Sequence, residues 1–349
     1  MTAIASLFDQ CPEASAFARS VINSIEEHKI YPEEHFARIE SCVLAGTGID
    51  RQGESFELYH LEQMVRSIRE RGMWLGHQHD PLSQAVGRVI AADVFYAPLS
   101  AEHFIAAVVG LYDSEKLPKF SDVGVNLSKL ANEPFGVSAK VGEEPSWNIV
   151  LEFNPHEVEH QTIEEMMLDA PSCVVRDEDH HFRKAADPLK ILYFSISFLA
   201  IISNPFSRKF LEVWGKEAGE RSIEFAKWVG RSVVRRLKGE SRLVFRCELG
   251  ACLIEFVLDS SDPSAVTDAV RQIYEMGDRI RALYGALEPF IPQKITYGYD
   301  RGTNQWFPLH AATVKRGVIS ERPRLVAVEQ LMLGGFSVGG KMTPQKDGR

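Results

Sequence analysis

His79 lies in the short segment Gly76-His77-Gln78-His79-Asp80-Pro81, and fifty-nine residues later Ser138 lies in Phe135-Gly136-Val137-Ser138-Ala139-Lys140-Val141. A neutral imidazole accepts the proton of a serine hydroxyl, and a hydroxyl activated in this way is a nucleophile. Such partners meet through the fold, so their distance along the chain is no obstacle. A third group must orient the imidazole. Asp113 and Glu115, just after the strand-like run 104–112, and His103, just before it, are the candidates; Asp113 is placed first, although the sequence does not choose among them. Ser128 and Ser146 are rival hydroxyls, neither of them central in a strand pattern. Lys140 falls on the same strand face as Ser138, where it either helps to polarise an oxyanion or is simply solvated. Each residue also has a plainer reading. His79 could be a turn histidine beside the turn signal Asp80-Pro81, and Ser138 a hydrogen-bonded strand serine.

A second chemistry is open to the same segment. His77 and His79, two apart on a strand, would face the same way and could share a metal ion. Asp80 would add an oxygen, and Asp177, Asp179, His180 or His181 could complete a hydrolytic zinc or manganese site. The run 177–181 reads more simply as an exposed linker. The basic residues Arg231, Arg235, Arg236, Lys238 and Arg242 could touch phosphate, but cations also belong at a helix C-terminus, where they oppose the helix dipole. Gly334-Gly335 and Gly339-Gly340 lack the Lys-Ser/Thr that a phosphate loop requires.

The elements that must position these groups are legible in outline. Residues 1–35 read as a helix or two, with Ala14, Phe17, Val21, Ile22 and Ile25 at helical spacing. The run 36–46 is strand-like. A helix over 56–71 carries the apolar stripe Leu58, Leu61, Val65 and Ile68. Further strands follow, the last with Trp147, Ile149, Leu151 and Phe153 at a period of two. Short strands around one helix suggest a mainly antiparallel β-barrel over residues 36–160, with helices packed on it. Asn154-Pro155, Ala170-Pro171 and Asp187-Pro188 punctuate a linker at 161–190. A separate α+β unit over 191–333 is expected to hold a helix or two within 205–238, a strand pattern over 243–258, and a helix from Asp262 to about Leu283. A hairpin around 300–304 completes a β-α-β-β unit. Residues 334–349 read as a mobile tail.

The stretch from about Phe36 to Phe153 resembles the prohead maturation proteases of tailed phages, relatives of the herpesvirus assemblins. The likeness lies in the order of its parts. A first strand is followed by a turn of the form Asp-x-x-Gly-Asp/Glu, here Asp50-Arg51-Gln52-Gly53-Glu54, and then by the helix 56–71. His79-Asp80-Pro81 and Val86-Gly87-Arg88-Val89 come next, then the strand 104–112, then the nucleophile strand with Ser138. Ser138 is followed by Ala139-Lys140, whereas the family has a small residue and glycine. The resemblance implies a serine endopeptidase with Ser138 as nucleophile, His79 as base and Asp113 in the third place. In assemblins that place is taken by a second histidine. Its target would be a protein, or the chain itself. The competing readings are a metal-dependent hydrolase using His77, His79 and Asp80, and a catalytically inactive protease-like scaffold or binding protein. No family is apparent in the second half.

Composition narrows the partners. A net charge of -9 argues against a general nucleic-acid binder, which carries a basic balance. No cofactor is expected, and the partner is a protein, with a homodimer left open. Five cysteines without paired spacing do not suggest a disulfide framework, and a reducing cytoplasm is the simplest home. The first nineteen residues carry Asp9 and Glu13 and do not read as a signal peptide. The uncharged stretch Ile191–Phe206 contains serines, an asparagine and a proline, and is expected to be a buried strand or core segment rather than a membrane span.

Overall fold

A computed structural model describes residues 5–28, 36–48, 55–76, 80–113, 115–127, 148–153, 158–176, 190–197, 215–237 and 241–320. They form a mixed α+β protein with two sheets. The smaller sheet contains β1 (Phe36–Gly46), β2 (Met73–Leu75), β3 (Gly87–Ala97) and β4 (Glu102–Tyr112). All its pairings are antiparallel, in the order β1-β4-β3-β2.

β4 is a near-continuous apolar run because both of its faces are covered. Ile105, Ala107, Val109 and Leu111 pack in one core with Leu61, Val65 and Ile68 of α1, the helix Leu58–Arg71. On the opposite face Phe104, Ala106 and Val108 meet two N-terminal helices, Ala5–Gln10 and Pro12–His28, through residues such as Ala14, Ala18 and Ile25. The helices expected over 1–35 and 56–71 are therefore present where residues are described.

Among the described residues the larger sheet has eight strands. They are β5 (Ile149–Phe153), β6 (Val174–Arg176), β7 (Lys190–Ser195), β8 (Ser241–Leu249), β9 (Cys252–Leu258), β10 (Pro292–Asp300), β11 (Gln305–Thr313) and β12 (Gly317–Ser320). Their order is β12-β11-β10-β9-β8-β7-β5-β6. Strand β5, which the sequence groups with the first half, pairs with β7 and β6 and so belongs to this sheet. The expected β-α-β-β unit is present. β9 and β10 run parallel, joined through α2 (Pro263–Ile273) and α3 (Gly277–Leu287), and β10 and β11 form a hairpin. Asp262 caps α2, accepting the Ser264 N–H at 3.0 Å, with Pro263 at the first helical position. The single helix expected over 262–283 is broken at Tyr274–Met276, where backbone N–H groups bond carbonyls three residues back before Gly277 restarts the helix. Strand β7 accounts for the start of the uncharged stretch 191–206; residues 198–206 lie outside the described residues. No helix among the described residues is long and apolar enough to cross a membrane.

The two faces of the larger sheet differ. Leu243, Phe245 and Cys247 of β8 join the main core, together with α2, α3 and the helix Gly215–Trp228. The alternate residues, Arg242, Val244 and Arg246, face the other way. That second face receives the first half of the chain. Leu82 packs against Ile191, Tyr193, Val244 and Val257, while Ala85, Tyr112 and Leu117 pack against Val318. The approach is close at Gly317. Its φ of 65° lies in the left-handed region, and a Cβ there would come within 2.9 Å of the Tyr112 ring.

Candidate active site

The smaller sheet brings two chain segments to one of its ends. Leu75 of β2 pairs with Gly87 of β3, and Gly87 with Leu111 of β4. Two further bonds continue this line, Val86 N–H to the Leu75 carbonyl at 2.7 Å and Tyr112 N–H to the Val86 carbonyl at 2.9 Å. The segment 76–86, which contains His79, and the segment beginning at Asp113 therefore leave the sheet from the same edge. His103 pairs with Tyr96 at the far end of β4. At ~3.4 Å per residue it is roughly 30 Å along the strand from Tyr112. Its ring lies 4.9 Å from that of Tyr96, and its backbone N–H donates to Thr47 Oγ1 at 2.9 Å.

His79 and Ser138 lie outside the described residues, as do His77, Ser128, Lys140, Ser146 and the run 177–181. The acids that flank them are described. Asp113 shapes a local turn: its carboxylate accepts the Glu115 N–H at 3.2 Å and lies 2.8 Å from Lys116 Nζ. Hydrogen bonding to Asp113, and then its charge, raise the Lys116 pKa. Asp80 closes its own turn, accepting the Leu82 N–H at 3.0 Å on Oδ1 and the Ser83 N–H at 3.0 Å on its carbonyl. Its Oδ1 also lies 3.6 Å from Arg242 Nε on β8. The oxygen donor of the metal reading thus has a cation as its neighbour.

The basic run 231–242 divides between two surroundings. Arg236 donates to the Ser232 carbonyl at 3.1 Å and lies 3.8 Å from Asp169. Arg242 instead serves the interface with the first half.

The structure adds a set of residues that the sequence reading missed. On the face that receives the first half, one row crosses six strands: Ser195, Arg246, Glu255, Thr296, His310 and Ser320. Glu255 is 1% exposed. Arg246 Nε lies 3.0 Å from one of its oxygens, and Lys294 Nζ 2.6 Å from the other. Arg246 also lies 3.7 Å from Glu152, which accepts the Ser195 hydroxyl at 2.6 Å, and its guanidinium sits 3.6 Å from the Tyr193 ring centroid. Burial pushes the Glu255 carboxyl up, but Lys294 and Arg246 together overcome this and hold it at about 2. Burial, then Lys294, push His310 down to about 3, with Glu255 opposing, so the ring is neutral at pH 7. A signal for this row existed. Arg246 interrupts the apolar run Leu243-Val244-Phe245, and Glu255 interrupts Cys252–Leu258; charges inside strand-like apolar runs need buried partners.

Among the described residues, no three His, Cys, Asp or Glu side chains gather in a way that could hold a metal. No protein-family model, curated protein or solved structure matches the chain.

Proposed function

We propose that the chain is a serine endopeptidase resembling the prohead maturation proteases of tailed phages, acting on a protein substrate or on itself. In this reading Ser138 Oγ attacks the scissile carbonyl carbon while His79 takes its proton. The tetrahedral oxyanion collapses, the amine leaves with the proton from His79, and water releases the acyl group by the same route. Asp113 accepts an N–H of His79 and fixes its orientation. In this reading the smaller antiparallel sheet belongs to a mainly antiparallel β-barrel.

One observation carries the reading. The segment containing His79 and the one beginning at Asp113 leave the same end of the smaller sheet, beside the charge-bearing face of the larger. Interfaces between units are common places for catalytic sites. The scaffold reading draws support from Asp113 itself, which already serves a local turn and Lys116.

The test is a single incubation series with candidate capsid-type and self-derived protein substrates. It compares wild type, Ser138→Ala, His79→Ala and a chelator-treated sample. The peptidase reading expects cleavage that both substitutions abolish and the chelator spares. Cleavage lost to chelator but kept in Ser138→Ala would favour the metal hydrolase, and no cleavage in any sample the scaffold.

A further inference from the structure

We propose that two copies of this chain dimerise through the outward face of two helices on the main core, the acidic half of that face on each copy meeting the basic half on the other. The proposal stands apart from the peptidase reading.

The helix His160–Met167 turns Ile163 and Met166 into the main core. The helix Gly215–Trp228 turns Phe225, Ala226 and Trp228 into the same core, and continues to Arg236 through a π-helical turn at Val229–Val233. The two lie side by side. Trp228 Nε1 donates to the Met166 carbonyl at 3.0 Å, and the Ser232 hydroxyl donates to the Asp169 carboxylate. Their outward residues therefore share one surface.

That surface is divided by charge. Glu159, Glu164 and Glu165 are exposed on the shorter helix and its leading residue, and Lys227, Arg231 and Arg235 on the longer one. Arg236, 3.8 Å from Asp169, marks the boundary. The cations oppose the dipole at the end of their own helix. No such local reason serves the acids. Glu164 and Glu165 occupy the last turn of theirs, where negative charge is unfavourable. Glu165 accepts a hydrogen bond from the neutral Gln161 amide at 3.2 Å, which leaves its charge in place. Arg176 is engaged at the first turn, 2.6 Å from His160 Nε2 and over the Phe153 ring. Among the described residues, none of the three acids or the three cations takes part in an ion pair.

A second copy answers both features. A twofold axis along the boundary lays the three carboxylates of each copy over the three cations of the other, an isologous contact made twice. The partner's cations then relieve the acids in the last turn. Leu168, 86% exposed, and Ile223, 41% exposed, add apolar surface to the same face. The match matters because the chain carries a net charge of -9, so two copies repel unless the touching surfaces are neutral together. A nucleic acid drawn to the cations would meet the adjoining carboxylates, which is why a second copy fits this face better.

The test is sedimentation equilibrium of the full chain at low and high salt. The samples are wild type, Arg231→Glu/Arg235→Glu, Glu164→Lys/Glu165→Lys and the chain carrying all four changes, with thermal transitions recorded for each. Wild type should dimerise, more weakly at high salt. Each double reversal should weaken self-association roughly a hundredfold, because it sets like charges opposite one another. An equimolar mixture of the two double variants should dimerise again, and so should the chain with all four changes. The transitions should match, since these side chains are exposed. If a reversal unfolds the chain, Glu164→Gln/Glu165→Gln takes its place and should weaken the dimer about tenfold. A wild type that is monomeric at low salt overturns the proposal. So does a dimer that the reversals or the glutamine variant leave unchanged, or a loss that neither the mixture nor the fourfold chain restores.

Discussion

Lys294→Met keeps most of the side chain's length and removes its charge, so it isolates what the cation does for Glu255. The Glu255 carboxylate is buried, with Arg246 3.0 Å from one oxygen and Lys294 2.6 Å from the other. Burial raises its pKa, the two cations lower it more, and the balance falls from an ordinary 4.5 to about 2. At ~1.4 kcal/mol per pH unit, that depression corresponds to roughly 3 kcal/mol of stability near neutral pH. Lys294 is the stronger of the two attractions, but its side chain is 28% exposed and partly screened by solvent. Its removal should therefore cost about 2 kcal/mol, less than the ~3–5 kcal/mol of breaking a wholly buried pair. The sign with pH follows from a native pKa below the unfolded one. The contribution is complete above the unfolded value and is lost as pH falls toward about 2. Urea titrations followed by tryptophan fluorescence should show the variant destabilised at pH 7, with the gap nearly unchanged at pH 4 and narrowing as pH falls further toward the native pKa. The double variant Lys294→Met/Glu255→Met should recover most of the loss, because replacing a whole buried pair by apolar groups is often neutral. Equal stability of the single variant at pH 7, or a gap that widens in acid, would refute the reasoning.

Two further outcomes follow from the same physics. His310 is neutral in the fold, with its pKa pushed from 6.5 down to about 3. Below pH 6.5 the unfolded chain takes a proton that the native one refuses, so stability should fall by up to ~1.4 kcal/mol per pH unit from this site. His310→Gln should flatten that slope between pH 6.5 and pH 5 in urea titrations; an unchanged slope contradicts the assignment. All five cysteines are buried free thiols, and burial pushes Cys42 and Cys252 up to about 12 and Cys247 higher still. A thiol reagent at pH 8 should leave them unreacted in the native protein and titrate all five in denaturant; rapid native reaction would contradict their placement.

Much of the framework is legible locally. The 56–71 stripe, the apolar run of β4 and the hairpin at 300–304 each carry their periodicity or turn chemistry in consecutive residues. What failed to show is non-local. The alternation in Ile149–Phe153 identifies a strand but not its partner, and the partner proves to be β7, some forty residues later. The break at Tyr274–Met276 has little local mark before Gly277, because Val266, Ala269, Val270 and Ile273 continue into Ile280 and Leu283 as one apolar stripe. Arg246 and Glu255 carry a readable signal singly, but their pairing depends on the register of β8 against β9. Of the acids named from the sequence, Asp113 of the peptidase reading and Asp80 of the metal reading lie at a shared end of the smaller sheet, whereas His79 and Ser138 lie outside the described residues.

Ser138 bears the central claim, and one labelling comparison tests it most directly. The wild-type chain and Ser138→Ala are incubated with a fluorophosphonate probe at neutral pH, with thermal transitions recorded for both. The account predicts a covalent adduct on wild type that maps to Ser138, no adduct on Ser138→Ala, and matching transitions. An unlabelled wild type, or an adduct that survives in Ser138→Ala, would contradict it.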